Sequence, residues 1–338
     1  MKKPIKTGLL SFGMSGKIFH APFLTKHIGF ELVAVVERSE KRAHLLLPDI
    51  KSYSSVDEIC ADADIELIVV NTPNDTHFGF AMKALQSGKN VLMEKPFAVT
   101  SVEAKKLYSE AKHRNLHILP YQNRRFDSDF LSLKSVLDSG KLGRLIEAHI
   151  RFDRYRHSIG PKVFKETAIP GSGLMYDLGP HMLDQVFALF GMPEKWSKTV
   201  GHFRPNTQVD DYGHIHLQYS NGLNVFVTLS MLVADVQPAY VLNGTKGSYV
   251  KHRADVQERQ LLEGITPADI IYGVEDGVHE GILTTILDGG EKSQQLLPAI
   301  KTSYISVFDA VYHTMRDDKP YFVTEEQVLK QLEILEGR

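Results

Sequence analysis

The sequence predicts an α/β chain with a doubly wound parallel sheet in its N-terminal part. An α+β domain built on a large, mainly antiparallel sheet should follow. Three observations lead there. Up to about Tyr121, short apolar runs alternate with helical patterns; from Leu145 the runs become alternating; and 338 residues exceed what one core usually fills.

The N-terminal strand candidates are Thr7–Phe12, Glu31–Glu37, Glu66–Asn71, Asn90–Met93 and His117–Tyr121. Helical periodicity covers Thr76–Ser87, closed by Gly88, and Ser101–Arg114, followed by Asn115. Leu67–Val70 and Val91–Met93 are apolar without alternation, as in strands covered on both sheet faces, so the connections read as βαβ units. The second part differs. In "HIHLQYSNGLNVFVTLS", Ile215, Leu217 and Tyr219 share a face, and Asn221-Gly222 predicts a two-residue hairpin. Helices over Leu174–Phe190, Tyr304–Met315 and Thr324–Leu335 should cover one face of that sheet. The other face is expected to be exposed or covered by a partner, which points to a homodimer or homotetramer through the C-terminal sheet. The pattern changes without a loose linker, giving domains 1–122 and 123–338.

Composition narrows the function. Apolar residues make up 43% and charged residues 24%, with a formal net charge of −2 and no basic tract. That is a soluble globular composition, with neither a nucleic acid nor a membrane as partner. Cys60 is the single cysteine, which excludes an intramolecular disulfide and any cysteine-built metal site. No apolar stretch approaches the roughly 20 residues of a membrane span. The opening "MKKPIKTGLLSFG" has no A-x-A-like site after it and reads as a first strand rather than a signal peptide. The expected location is cytoplasmic.

Candidate chemistry gathers at strand ends. In "TGLLSFGMSGKIFHAPF", Gly13 and Gly16 occupy the second and third glycine positions of a Rossmann G-x-G-x-x-G turn, while Ser11 stands at the first. The amides of Met14 to Gly16 can face an anion at the helix start, and Pro22 should end that helix early. Glu37 closes the next strand 21 residues after Gly16, where a carboxylate can accept from ribose hydroxyls. Arg38 and Ser39 follow and suit a 2′-phosphate, so NAD and NADP both stay open. In "VLMEKPFAVT", Glu94 and Lys95 end a strand, and a lysine there can steady a developing alkoxide. In "PGSGLMYDLGPHMLDQ", Asp177 and His181 share one helix face. An imidazole, with its ordinary pKa of about 6.5, suits proton transfer, and a carboxylate one turn away can orient it. Pro180 should lie in the first turn or kink the helix. No other His, Asp or Glu grouping has metal-ligand spacing, and His214 and His216 read as sheet residues, so no metal is expected.

Taken together, "FGMSGKIFHAPFL", "NTPNDTHF", "MEKPF", "YQNRRFDSDF" and "YDLGPHMLDQ" resemble the glucose-fructose oxidoreductase/inositol dehydrogenase (Gfo/Idh/MocA) family over nearly the whole chain. The branch most resembled contains NADP-dependent scyllo-inositol dehydrogenases. The resemblance implies an NAD(P)-dependent dehydrogenase acting on a secondary alcohol of a sugar or cyclic polyol. It makes Lys95 the active-site lysine and His181 the proton-transfer residue, with Asp177 beside it. Ser11, Phe12, Gly13, Met14, Ser15 and Gly16 would hold the pyrophosphate; Thr72, Pro73, Asn74, His77 and Glu94 would line the cofactor. Asn123 would lie near nicotinamide or substrate, and Arg125 and Tyr155 become candidates for polyol recognition. Two departures stand out: Ser11, and "KVFKE" (Lys162–Glu166) where relatives often carry Trp-Arg. A regulatory nucleotide sensor on the same fold would need neither Lys95 nor His181. A dihydrodiol or imine substrate fits less well than a hydroxyl-rich one beside Asn123, Arg125 and Tyr155.

Overall fold

The computed structural model describes residues 2–160, 166–275 and 277–337. The apolar runs of the N-terminal part become strands β1 (Ile5–Leu9), β2 (Phe30–Val36), β3 (Lys51–Tyr53), β4 (Leu67–Val70), β5 (Asn90–Met93) and β6 (Ile118–Pro120). They form one parallel sheet in the order β3-β2-β1-β4-β5-β6. Every residue of β4 is buried, as a run without alternation requires of a central strand. Strand order reverses between β1 and β4, and the carboxyl ends of that pair form the switch point at which such sheets bind ligands. The three-residue β3 was not among the sequence candidates; it is too short and too polar to carry a periodic signal.

Helices α1 (Ala21–Lys26), α2 (Val56–Ala61), α3 (His77–Gln86) and α4 (Ser101–His113) belong with this sheet. A reciprocal capping box between Thr100 and Glu103 starts α4. Gly88 and Asn115 leave α3 and α4 with φ of 77° and 55°, the left-handed exit that their positions in the sequence suggested. Pro22 does not end the first helix. A π-helical turn, Gly16–His20, comes first, and Pro22 lies in the opening turn of α1, where a missing amide costs nothing.

The second sheet has eight strands: β7 (Leu145–Asp153), β8 (Lys195–Gly201), β9 (Tyr212–Gln218), β10 (Asn224–Ser230), β11 (Tyr240–Gly244), β12 (Gly247–Lys251), β13 (Gly281–Ile286) and β14 (Lys292–Leu297). Their order is β14-β13-β12-β11-β7-β10-β9-β8, with β7 and β10 parallel and the other neighbours antiparallel. Helices α5 (Ser128–Asp138) and α6 (Leu174–Phe190) lie in the same unit. Ala148, Ile150, Ile215, Leu217, Val225 and Val227 are fully buried on the face that α6 packs against. The β9–β10 hairpin exists, but its loop has three residues rather than two. The Tyr219 amide donates to the Leu223 carbonyl, and of Asn221 and Gly222 only Gly222 takes a positive φ, 85°.

Contacts between Cα atoms group residues up to Asn123 with two later segments, Gln257–Tyr272 and Ser303–Leu329. These carry α7 (Gln257–Leu262), α8 (Ile305–Asp317) and the first part of α9 (Glu325–Glu336). The helix expected over Tyr304–Met315 against the antiparallel sheet forms as α8 but packs in the first unit. Phe308 stacks on Phe23 with ring centres 5.5 Å apart, and Tyr304 and Tyr272 lie 6.3 and 6.2 Å from the same ring. Periodicity reveals a helix and its apolar face, but not which apolar surface will receive it. No helix among the described residues is long and apolar enough to cross a membrane.

Candidate active site

The glycine turn leaves β1 directly into the switch point. Asn71, just past β4, clamps Ser11 with both ends of its side-chain amide: it accepts from the Ser11 amide at 3.0 Å and donates to the Ser11 carbonyl at 2.8 Å. Ser11 has no positive φ, so this backbone position does not need glycine. Gly16 does: a Cβ there would run into the Ser11 carbonyl oxygen. Gly13 is exposed, and a Cβ would meet nothing nearer than Ser11 Oγ at 3.5 Å. Packing therefore does not demand glycine at 13, whereas a pyrophosphate passing over the turn would. The Ser15 side chain makes no capping hydrogen bond at the start of the π-helical turn. Phe12 is buried beneath the turn and Met14 is exposed above it. The residues fit a dinucleotide. Asn71, absent from the sequence candidates, was visible only as a polar residue ending an apolar strand.

Glu37 stands after β2, but its carboxylate is turned into its own loop. It accepts from the amides of Arg42 (2.9 Å) and Ala43 (3.0 Å) and from the Ser52 hydroxyl (2.8 Å). Burial works against the charge, but these donors prevail and hold the carboxyl below its ordinary range. Arg38, Ser39 and Arg42 are exposed around it, Arg42 paired with Glu40.

After β4, the Thr72 and Thr76 hydroxyls meet at 2.6 Å across the short 3₁₀ turn Asn74–Thr76, with Pro73 exposed in front. His77 is buried and bridges two carbonyls, Pro96 at 2.7 Å and Thr72 at 2.9 Å. Burial pushes its pKa down although both carbonyls favour the proton. It thus ties the end of β4 to the loop after β5. That loop begins with Glu94 and Lys95, both half-buried, and a cis Lys95–Pro96 bond. Glu94 is held ionised: burial opposes it, but the His20 hydrogen bond and charge, the Lys95 charge and the Ser15 hydroxyl outweigh burial. Asn123 is buried at the start of a 3₁₀ turn.

In the second unit, α6 carries Asp177 in its first turn and His181 one turn later. The glycine-rich approach is required here. Gly173 has φ 89°, and a Cβ would strike the Asp210 carboxylate, which accepts from the Met175 amide at 2.6 Å. Pro180 sits in the helix interior, not the first turn, and the Gln331 amide donates to its carbonyl at 2.7 Å. Asp177 is about a quarter exposed, with Arg154 Nη1 3.8 Å from its carboxylate; His181 is buried. Arg125 makes a two-pronged pair with Asp184, at 2.7 and 2.8 Å, so its fork holds α6. Tyr155 is 60% exposed and joins Leu232 in an isolated bridge. Of "KVFKE", Lys162–Lys165 lie outside the described residues; Glu166 pairs with Arg204 at 2.7 Å.

Residues 5–121 match the family model described as the oxidoreductase family with an NAD-binding Rossmann fold, and residues 130–250 match the GFO/IDH/MocA C-terminal domain. The chain belongs to the Gfo/Idh/MocA oxidoreductase family. It is similar to the scyllo-inositol 2-dehydrogenase (NADP(+)) IolW of Bacillus subtilis, at 31% identity over 98% of this chain and 92% of the relative. A trans-1,2-dihydrobenzene-1,2-diol dehydrogenase of Bos taurus is 31% identical over 72% of each chain. Among solved structures, yvaA of Bacillus subtilis superposes with a TM-score of 0.95 at 30% identity, covering 99% of this chain and 95% of that one. The protein is thus an NAD(P)-dependent oxidoreductase of this family, acting on a small molecule.

The two glycines should separate in experiment. Gly16→Ala should lower both thermal stability and NADPH affinity, because the Ser11 carbonyl must move. Gly13→Ala should leave the melting temperature within about 1 °C, since nothing there is crowded, yet weaken NADPH by about tenfold in a fluorescence titration. Equal effects of both on stability would contradict the geometry.

Proposed function

We propose that this oxidoreductase oxidises and re-reduces a secondary alcohol of a cyclic polyol or sugar, with NADP(H) as its preferred cofactor. The similarity to an NADP-linked inositol dehydrogenase over almost the full length supports the substrate class. The commitment of Glu37 to hydrogen bonds within the protein supports the cofactor choice: the carboxylate that would recognise a free ribose is already satisfied, and Arg38 and Arg42 follow it as exposed residues.

The roles follow from the chemistry of each group. When bound, the nicotinamide cofactor supplies or accepts the hydride. Lys95 stabilises the negative charge that develops on the substrate oxygen. His181 takes the hydroxyl proton during oxidation and returns it during reduction. Asp177 biases the imidazole toward accepting that proton, and Arg154 orients the Asp177 carboxylate. Residues Ser11 to Gly16, with Thr72 to Asn74, bind the nucleotide. Asn123 remains a candidate for the substrate side, whereas Arg125 acts mainly by fixing α6.

We also propose a homodimer through the outer face of the eight-stranded sheet. Leu296, Ile282, Val250, Val241, His149, Phe226, His216 and Ser197 are cross-strand neighbours in a single row over all eight strands. His149 and His216 stack on Phe226 at 4.9 and 4.6 Å. A row rich in apolar and ring surface suits an isologous contact.

Three outcomes test these readings. On a panel of inositols, sugars and a trans-dihydrodiol followed at the reduced-nicotinamide absorbance, Lys95→Ala and His181→Ala should each lower kcat/KM by about 10²–10⁴-fold. Near-normal turnover in both would remove them from the chemistry. Replacing Arg38 and Arg42 together with alanine should raise the Kd for NADPH at least about tenfold, the scale of one charge-assisted hydrogen bond, with that for NADH little changed. Equal losses for both nucleotides would argue against 2′-phosphate recognition. In sedimentation equilibrium the native protein should be a dimer and Phe226→Glu a folded monomer; a native monomer would end the sheet-face proposal.

A further inference from the structure

The helix that follows the glycine turn reaches the strand end that bears Lys95. Ser15 Oγ donates to Glu94 Oε1 at 2.9 Å, and His20 Nε2 lies 2.9 Å from the same oxygen. The Lys95 amide donates to Oε2 at 3.2 Å. His20 is completely buried, its ring 4.5 Å from that of Tyr121 and 6.2 Å from that of Phe308. The Tyr121 hydroxyl donates to the Phe19 carbonyl at 2.8 Å, which fixes that ring beside the π-helical turn. His20 Nδ1 has no hydrogen-bond partner among the described residues.

With a proton on Nε2, the His20 ring donates to Glu94. An imidazole, a hydroxyl and a backbone amide therefore converge on one largely buried carboxylate. Of the three, His20 has no part in the nucleotide or substrate roles given above. A structural account alone leaves unexplained why the carboxylate so held is the one adjoining the lysine.

We propose that His20, with Ser15, is a positioning residue that holds the Glu94 carboxylate as an anion against Lys95, so that the start of the first helix sets the charge and place of the lysine. The proposal rests on the reading of Lys95 as a catalytic group. Glu94 is faced by His20 from the π-helical turn, Lys95 from its own loop, His77 from α3 and Tyr121 from beyond β6. Burial alone would drive the carboxyl toward its neutral form, and the donors together with Lys95 reverse this. Remove a donor and burial gains ground: Glu94 takes up a proton nearer neutrality, and Lys95 loses the negative neighbour that favours its ammonium form.

The test reads the lysine directly. In the apoprotein, the rate at which Lys95 reacts with an amine-specific acylating reagent is followed against pH by mass spectrometry. In His20→Leu the midpoint should fall by about one pH unit, the effect of losing one hydrogen bond to a charged group. His20→Gln, which returns an N–H near the position of Nε2, should restore most of it. Ser15→Ala removes the second donor to the same oxygen and should move the midpoint in the same direction. It serves alone if His20→Leu does not fold. With substrate, kcat in His20→Leu should fall about tenfold while the Kd for NADPH changes less than about threefold. An unchanged midpoint in folded His20→Leu and Ser15→Ala overturns the proposal. A shifted midpoint with unchanged kcat would instead keep the coupling and remove Lys95 from the chemistry.

Discussion

A single close approach organises the N-terminal site: the start of the first helix passes over the Ser11 carbonyl so tightly that only glycine fits at 16. Asn71 holds that carbonyl from the other side, joining β1 to β4 where the strand order reverses. Everything in this half of the site is positioned from that crossing. It sets the direction of the π-helical turn, hence where Ser15 and His20 arrive, hence which carboxylate they meet. The glycine turn is therefore more than a nucleotide cradle. It is the fixed point from which the end of β5 is aligned.

Much of this was legible in the sequence because it is written in backbone chemistry. Gly88 and Asn115 end helices by leaving in the left-handed region, Thr100 and Glu103 start one by capping it, and unbroken apolar runs become central strands. What was not legible depends on partners distant along the chain. Ser11 could stand for a glycine because the local backbone never needs positive φ, a fact that a motif cannot reveal. Asn71 matters through a residue sixty positions earlier. The helix after Tyr304 was foreseen, but its Phe308 chose Phe23 over the second sheet, and both surfaces are apolar. Pro22 does not end its helix for a related reason: it falls in the first turn of α1, where its missing amide has no intrahelical partner to lose.

In the second unit, the groups proposed to act stand on a helix held by several others. Helix α6 is anchored at its start by Asp210, near its middle by Gln331 on the Pro180 carbonyl, and beyond by the Arg125–Asp184 fork. Gln185 adds a hydrogen bond to the Arg124 carbonyl at 2.8 Å. With so many fixed points, the helix face bearing Asp177 and His181 has little freedom to turn. On the role proposed for His181, that rigidity is what a proton-transfer group needs, since misplacement by an ångström is expensive in rate. Arg125, which the family resemblance makes a candidate for polyol recognition, has its guanidinium engaged with the Asp184 carboxylate.

Glu37 makes the same point about the nucleotide. An acidic residue after the second strand is ordinarily read as a ribose acceptor. Here it receives hydrogen bonds from two amides of its own loop and from the Ser52 hydroxyl on β3, and a bond to a charged group is worth about 1.5–3 kcal/mol. To accept from a ribose, the carboxylate would have to release at least one of those donors, and the loop from Arg42 to Ala43 would lose its anchor. The exchange gains nothing, because one hydrogen bond to the carboxylate replaces another while the part-buried Ala43 amide loses its acceptor. The same closed loop presents Arg38 and Arg42 outward. The proposed NADP(H) preference builds on this: a group carrying two negative charges at the ribose 2′ position would take donors from the surface and ask nothing of Glu37. On that proposal, selectivity comes from an acid that has been satisfied elsewhere rather than from one that has been removed.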